Sequence, residues 1–253
     1  MARHYELTMA AWWTEIEAAL RDFYVDGAEI TYVGSDGIVF RVPEICELYM
    51  QIVLSIPYGT NASINLQVSS TVVADTGKLE SAVVVAKQSG SPNGTDRGIH
   101  LVLADSFILF QSGSTVSYGS MNSLIAKCSN GRSLLANGVG GGGSDGQYRY
   151  CMYADELTAF SLKFLAPACV SMKSDKKEVL YTSYFGISNE MELNEDGTFA
   201  YIPGLYLSTR DVDYCPIVGE NYYIGLRDFG GNAARGMHCL SPFFVELEME
   251  ESA

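Results

Sequence analysis

The chain has 253 residues, 47% hydrophobic and only 18% charged, and its 16 basic and 30 acidic side chains leave a formal net charge of −14. So many apolar residues exclude an intrinsically disordered chain and indicate a well-buried core. The shortage of basic groups excludes a duplex-binding protein, which must displace counterions with a basic face. No apolar run approaches the length of a membrane span.

The start, MARHYELTMAAWWTEIEAALRDF, lacks the basic-then-apolar pattern of an export signal. A chain that is not exported is therefore expected, with its six cysteines as free buried thiols. Those cysteines (Cys46, Cys128, Cys151, Cys169, Cys215 and Cys239) contain no C-x-x-C pair to begin a zinc site. The sequons at Asn61 and Asn93 are then chance matches.

Trp12, Ile16, Ala19, Leu20 and Phe23 fall on one helical stripe and predict an amphipathic helix as the first element. Thr8 is the expected N-cap and Gly27 the expected stop, with Glu17 and Arg21 an i, i+4 pair. Trp13 lies about 100° round from Trp12, at the stripe's edge. The helix either covers its own sheet or docks on a neighbouring subunit.

Residues 28–42 predict a hairpin turning at Asp36-Gly37. LYMQIVLSI predicts a strand ahead of the Pro57-Tyr58-Gly59 turn, and residues 63–74 another. Residues 81–86, with three successive valines, read as a strand buried on both faces. Residues 88–98 read as a loop, followed by the closely spaced strands IHLVLAD, SFILFQSG, TVSYGS and SLIAKCS. Beyond a Gly-rich tract come QYRYCMY, LTAFSLKFLA, a Lys-rich turn at residues 174–177, and an aromatic strand–turn–strand stretch over 178–226. SPFFVELEMEESA reads as a last strand fraying into acid.

The fold class is thus mainly β, with sandwich-like antiparallel sheets and one N-terminal amphipathic helix. The domain reading divides it into 1–137 (helix plus a β sub-domain), 138–146 (a Gly-rich linker or hairpin tip) and 147–253 (an aromatic-rich β sub-domain). A single domain stands beside it as an equal alternative.

Chemistry-bearing patterns lack their context. Gly138-x-Gly140-x-x-Gly143 is followed by strand-like residues, not the helix that a dinucleotide fingerprint needs. Gly142-Gly143-Ser144-Asp145-Gly146 has the G-x-S-x-G spacing without the strand–turn–helix of a nucleophile elbow. His4, His100 and His238 are far apart, and His238 faces away from Cys239 if both lie on one strand. Glu190, Glu192, Glu195 and Asp196 crowd one stretch, Asp211 and Asp213 another, but Asp196-Gly197 is hairpin chemistry and no EF-hand register is present. The reading assigns no catalytic residue, cofactor or metal ligand. The candidate contact surface is aromatic: Trp13, Tyr181, Tyr184, Tyr201, Tyr206, Tyr222 and Tyr223, side chains with an apolar body and a polar tip. Alternate members of that set otherwise fill the core.

The order of segments — AAWWTEIEAAL, ITYVGSDGIVFRV, IHLVLADSFILFQSG, PGLYLSTRDVDYCPIVGENYYIGLRD and PFFVELE — resembles that of tailed-bacteriophage virion structural proteins, meaning tail, baseplate or capsid-associated components. The IVGENYYIG hairpin at residues 217–225 is the nearest thing to a signature. The resemblance implies a non-enzymatic virion protein that packs in symmetric copies, with itself and other virion proteins as partners and neither nucleic acid nor membrane. A carbohydrate- or receptor-binding tail module that takes host-surface glycan is the alternative, with an acidic-cleft glycan hydrolase behind it.

Overall fold

The computed structural model describes residues 2–8, 11–55, 62–90, 99–112, 120–140, 147–164, 171–173, 179–187, 190–208, 217–218, 221–226 and 243–246. A strand, β1 (Ala2–Leu7), precedes the helix α1 (Trp12–Tyr24) and corrects the expectation that the helix comes first. β1 gains its hydrogen bonds from residues 99–104, far along the chain, and no local periodicity announces such a pairing.

α1 buries Trp12, Ile16, Ala19 and Leu20, while Trp13 stays half-buried at the stripe's edge. The expected pair forms, with the Arg21 Nη2 donating to Glu17 Oε1 at 2.9 Å. The helix packs on its own sheets, its Trp12 ring 6.3 Å from Phe110. Both expected caps are corrected. Ala11 occupies the N-cap position without a side-chain cap, because Thr8 instead donates its N–H (2.5 Å) and hydroxyl (2.7 Å) to the Glu15 carboxylate. The turn at the other end is made by Val25 at φ 48°, so Gly27 is not the left-handed residue.

The strands β2 (Glu29–Gly34), β3 (Gly37–Val42), β4 (Cys46–Ser55), β5 (Ala62–Ser69) and β6 (Val83–Gly90) form a five-stranded antiparallel sheet in chain order. The Asp36-Gly37 hairpin forms as expected, with Gly34 opposite Gly37. β5 stops at Ser69, short of the expected residue 74, and residues 71–80 fold back over β2. There the Gly77 carbonyl accepts from Thr31 Oγ1 at 2.7 Å, and Lys78 pairs with Asp36 at 2.9 Å over the Tyr32 ring. Gly77 has φ 69°, and a Cβ there would collide with the Thr31 carbonyl. β6 corrects two expectations. It runs through Gly90, into the segment read as loop. It is also an outer strand, with Val85 buried but Val84 51% exposed. A bulge is the cause: Leu66 faces Ala86 while Gln67 faces Val84, so the extra residue breaks the alternation.

The remaining strands are β7 (Ile99–Ala104), β8 (Phe107–Ser112), β9 (Ser120–Lys127), β10 (Ser133–Gly140), β11 (Gln147–Tyr153), β12 (Phe160–Phe164), β13 (Ser171–Lys173), β14 (Val179–Thr182), β15 (Phe185–Ile187), β16 (Glu190–Met191), β17 (Leu205–Ser208), β18 (Ile217–Val218), β19 (Asn221–Leu226) and β20 (Phe243–Glu246). A nine-stranded antiparallel sheet has the order β1-β7-β8-β9-β10-β11-β12-β15-β16, and a six-stranded sheet the order β13-β14-β17-β20-β19-β18. The expected meander is β7 to β9. β10 and β11 flank the Gly-rich tract and pair across it, Leu134 opposite Tyr153 through Asn137 opposite Tyr150. Residues 141–146, with Ser144, lie outside the described residues, as do the Lys-rich turn, Asp211, Asp213, His238 and the acidic tail. The IVGENYYIG segment pairs as β18 with β19, and β20 lies between β17 and β19.

Two cores sit on opposite faces of the nine-stranded sheet. Leu101, Leu103, Ile108, Phe110, Ile125, Leu135 and Met152 face α1 and the five-stranded sheet. Val102, Phe107, Leu109, Leu124, Leu134, Tyr153 and Phe185 face Ala200, Ile202 and Leu205. The continuous apolar runs IHLVLA and FILF are the imprint of this double burial.

Urea unfolding checks this arrangement. Phe110→Ala, which empties a fully buried position beneath Trp12, is expected to lower the unfolding free energy by about 3–5 kcal/mol. Val25→Gly, at an exposed position held at positive φ, is expected to raise it by about 1 kcal/mol.

Candidate contact site

The Asp196-Gly197 turn closes a short hairpin over residues 190–202, extending from β16. Leu193 and Phe199 pair across it, Asn194 N donates to the Thr198 carbonyl at 2.8 Å, and Gly197 supplies the positive φ of 80°. Side chains lock the turn. Asp196 Oδ1 accepts from the Thr198 N–H at 2.9 Å and from its hydroxyl at 2.5 Å, and these bonds hold the Asp196 carboxyl below the ordinary carboxylate range. The Asn194 amide donates to Thr198 Oγ1 at 2.9 Å and to the Phe199 carbonyl at 3.2 Å.

The hairpin is fastened to the turn between β9 and β10. Ser129 N donates to the Tyr201 carbonyl, and Tyr201 N donates back to Ser129 Oγ, both at 2.9 Å. The same hydroxyl donates to Asn194 Oδ1 at 2.8 Å. Buried Ser183 does likewise one step along, accepting from Ile202 N at 3.0 Å and donating to its carbonyl at 2.9 Å. Ala200 and Ile202 thereby point into the core, and the alternating residues Phe199 and Tyr201 point the other way.

That outer face is apolar. Leu193 is 49% and Phe199 38% exposed, and both tyrosines are half-buried. The Tyr184 ring stands edge-to-face against Phe199 at 6.0 Å and against Tyr201 at 5.9 Å. Of the expected contact residues, the structure brings together Tyr184 and Tyr201. Trp13 lies apart, packed against the core on the other face of the nine-stranded sheet. Tyr206 is half-buried in β17. Tyr181, Tyr222 and Tyr223 are placed by their backbones in β14 and β19, and their side chains lie outside the described residues. Leu193 and Phe199 were missed. The signal was the i, i+2 spacing of Phe199 and Tyr201 beyond an Asp-Gly turn, which puts both on one face.

Beneath the hairpin, the Arg132 guanidinium lies 3.5 Å from the centre of the Tyr153 ring. It forks onto Asp155 at 3.1 and 2.9 Å and reaches Glu156 at 3.2 Å. Arg132 holds the Asp155 carboxyl below its usual range. Tyr153 is 1% exposed, and its hydroxyl lies near Glu192 and Asn130 without meeting hydrogen-bond geometry with either. Burial pushes its proton affinity up, and the Glu192 charge adds to this. Cys46, Cys128 and Cys151 are buried, Cys46 and Cys128 as free thiols, and burial raises Cys46 to about 11 and Cys128 to about 12. The other three cysteines lie outside the described residues. Among the described residues no group of His, Cys, Asp and Glu can hold a metal ion, and no helix is long and apolar enough to cross a membrane.

Two outcomes test this reading. Tyr153→Phe removes a buried hydroxyl that makes no hydrogen bond, so urea unfolding should show stability unchanged or raised by about 1 kcal/mol. A loss of more than about 2 kcal/mol would show that the hydroxyl is paired. The folded carboxyl of Asp155 is depressed, so its contribution is complete above the ordinary carboxylate range and lost as pH falls through the lowered folded value. Stability profiles should show Arg132→Met losing part of that acid-side dependence.

No family model, curated protein or solved structure matches this chain.

Proposed function

We propose that this protein is a non-enzymatic component of a multi-protein assembly, of the kind that builds tailed-phage virions, and that it works by packing against copies of itself and other proteins of that assembly. The observation that carries this reading is the outward face of residues 190–202. Leu193 and Phe199 are exposed on a hairpin whose turn is held by bonds among Asn194, Asp196 and Thr198. A rigid apolar face loses little conformational entropy on docking, and each of these side chains gains about 1–2 kcal/mol on further burial. A second exposed apolar pair, Val83 and Val84, lies on β6 at the edge of the five-stranded sheet and is the surface assigned to packing against another copy, the hairpin face being assigned to other proteins of the assembly. Segment order along the chain is what links this packing role to virion proteins.

Light scattering coupled to size exclusion, over a wide concentration range, tests the self-packing. The expected result is a molar mass above the 27.6 kDa of one chain that rises with concentration. The mass of a single chain at every concentration would overturn it.

A further inference from the structure

The face formed by Leu193, Phe199, Tyr184 and Tyr201 is set in the most acidic short segment described. Residues 190–202 contain Glu190, Glu192, Glu195 and Asp196 and no lysine or arginine. Glu195 and Asp196 are exposed at the tip, between the two arms that carry Leu193 and Phe199. Arg132, on the turn that fastens the hairpin, is committed to Asp155 and Glu156. The face is therefore apolar at its centre and negative at its edge. From that juxtaposition, and resting on the assembly reading above, we propose that this hairpin docks a protein segment of opposite pattern: an apolar residue flanked by lysine or arginine, supplied by a different protein.

Charge and bonding decide among the possible occupants. A second copy presenting the same face would set carboxylates against carboxylates, and the chain as a whole carries −14. Like charges brought together as water is excluded oppose association. A sugar needs polar groups free to bond its hydroxyls, beside an aromatic face on which to stack. Here both N–H groups of the Asn194 amide are used within the turn, its oxygen accepts from Ser129, and one Asp196 oxygen already accepts twice from Thr198. The rings stand edge-to-face at 73° and 77°, so they build a ridged apolar surface instead of one flat platform. Such ridges suit an aliphatic or aromatic side chain, and the carboxylates left at the tip keep their charge for a cationic neighbour.

The test uses the full chain and three labelled probes in fluorescence anisotropy: a synthetic peptide of alternating lysine and leucine, its glutamate–leucine counterpart, and maltohexaose. The lysine–leucine peptide should bind, and added salt should weaken the binding. Phe199→Ser and, independently, Leu193→Ser should each weaken it about tenfold with charge unchanged. Glu195→Lys should weaken it comparably with the apolar face intact. Equal binding to the serine variants would reduce the interaction to general attraction to an acidic protein, and overturn the proposal. So would the absence of peptide binding, equal binding of the glutamate–leucine peptide, or maltohexaose binding that is lost in Phe199→Ser. A self-association abolished by Phe199→Ser would make the face an interface between copies and overturn the proposal as well. Light scattering on the same samples separates the two readings. Self-association without peptide binding keeps the assembly role and discards this partner class. Phe199-dependent peptide binding by a single-chain species keeps the partner class and discards self-packing.

Discussion

Burial of the nine-stranded sheet on both faces is the constraint on which the rest of the structure depends. A half-exposed sheet can put polar groups on every second residue, but strands β7 to β10 cannot. Leu101 and Leu103 serve one core while Val102 and Ala104 serve the other, and the same division holds for Phe107 to Phe110. Each face then needs a cover. On one side it is α1 with the five-stranded sheet, and on the other Ala200, Ile202 and Leu205. Strands β7 to β10 leave little room for charge, and groups such as Arg132, Asp155 and Glu156 sit on the turns at strand ends.

The attachment of the 190–202 hairpin follows from that. Its inner residues, Ala200 and Ile202, are small and medium apolar side chains that complete the second core. Its backbone finds partners in Ser129 and Ser183, two hydroxyls that each accept from one N–H and also donate. With those polar groups paired, burying the inner face costs little. The outer face keeps no such duties. Leu193 and Phe199 are not required by either core, so their exposure is a property of the hairpin's surface and not of unfinished packing.

Much of the fold is readable in local patterns. The stripe Trp12, Ile16, Ala19, Leu20 marks the helix, Asp36-Gly37 and Asp196-Gly197 mark hairpins, and the sheets are antiparallel as turn spacing suggests. What escapes is set by distance along the chain. β1 exists because residues 99–104 offer it an edge, and nothing within ARHYEL distinguishes that from a helix lead-in. The valines at 83–85 look like an inner strand, yet the bulge at Gln67 turns two of them outward. Thr8 has the chemistry of a cap, but the Glu15 carboxylate competes for it more strongly. The site was half legible. An excess of tyrosine suggested a contact surface, but which rings meet is decided by the serine bonds that aim Tyr201 at Tyr184.

The same double burial explains why acid and apolar surface coincide. With few places for charge, the excess of carboxylates concentrates on turns, and the 190–202 hairpin is one of the few that also carries surplus apolar area. An exposed leucine and phenylalanine on a neutral tip would favour indiscriminate association. Glu195 and Asp196 beside them raise the cost of pairing with any acidic surface, this chain's own included, while leaving association with a basic one favourable. Apolar area then sets how strongly the face can bind, and the carboxylates set what it binds.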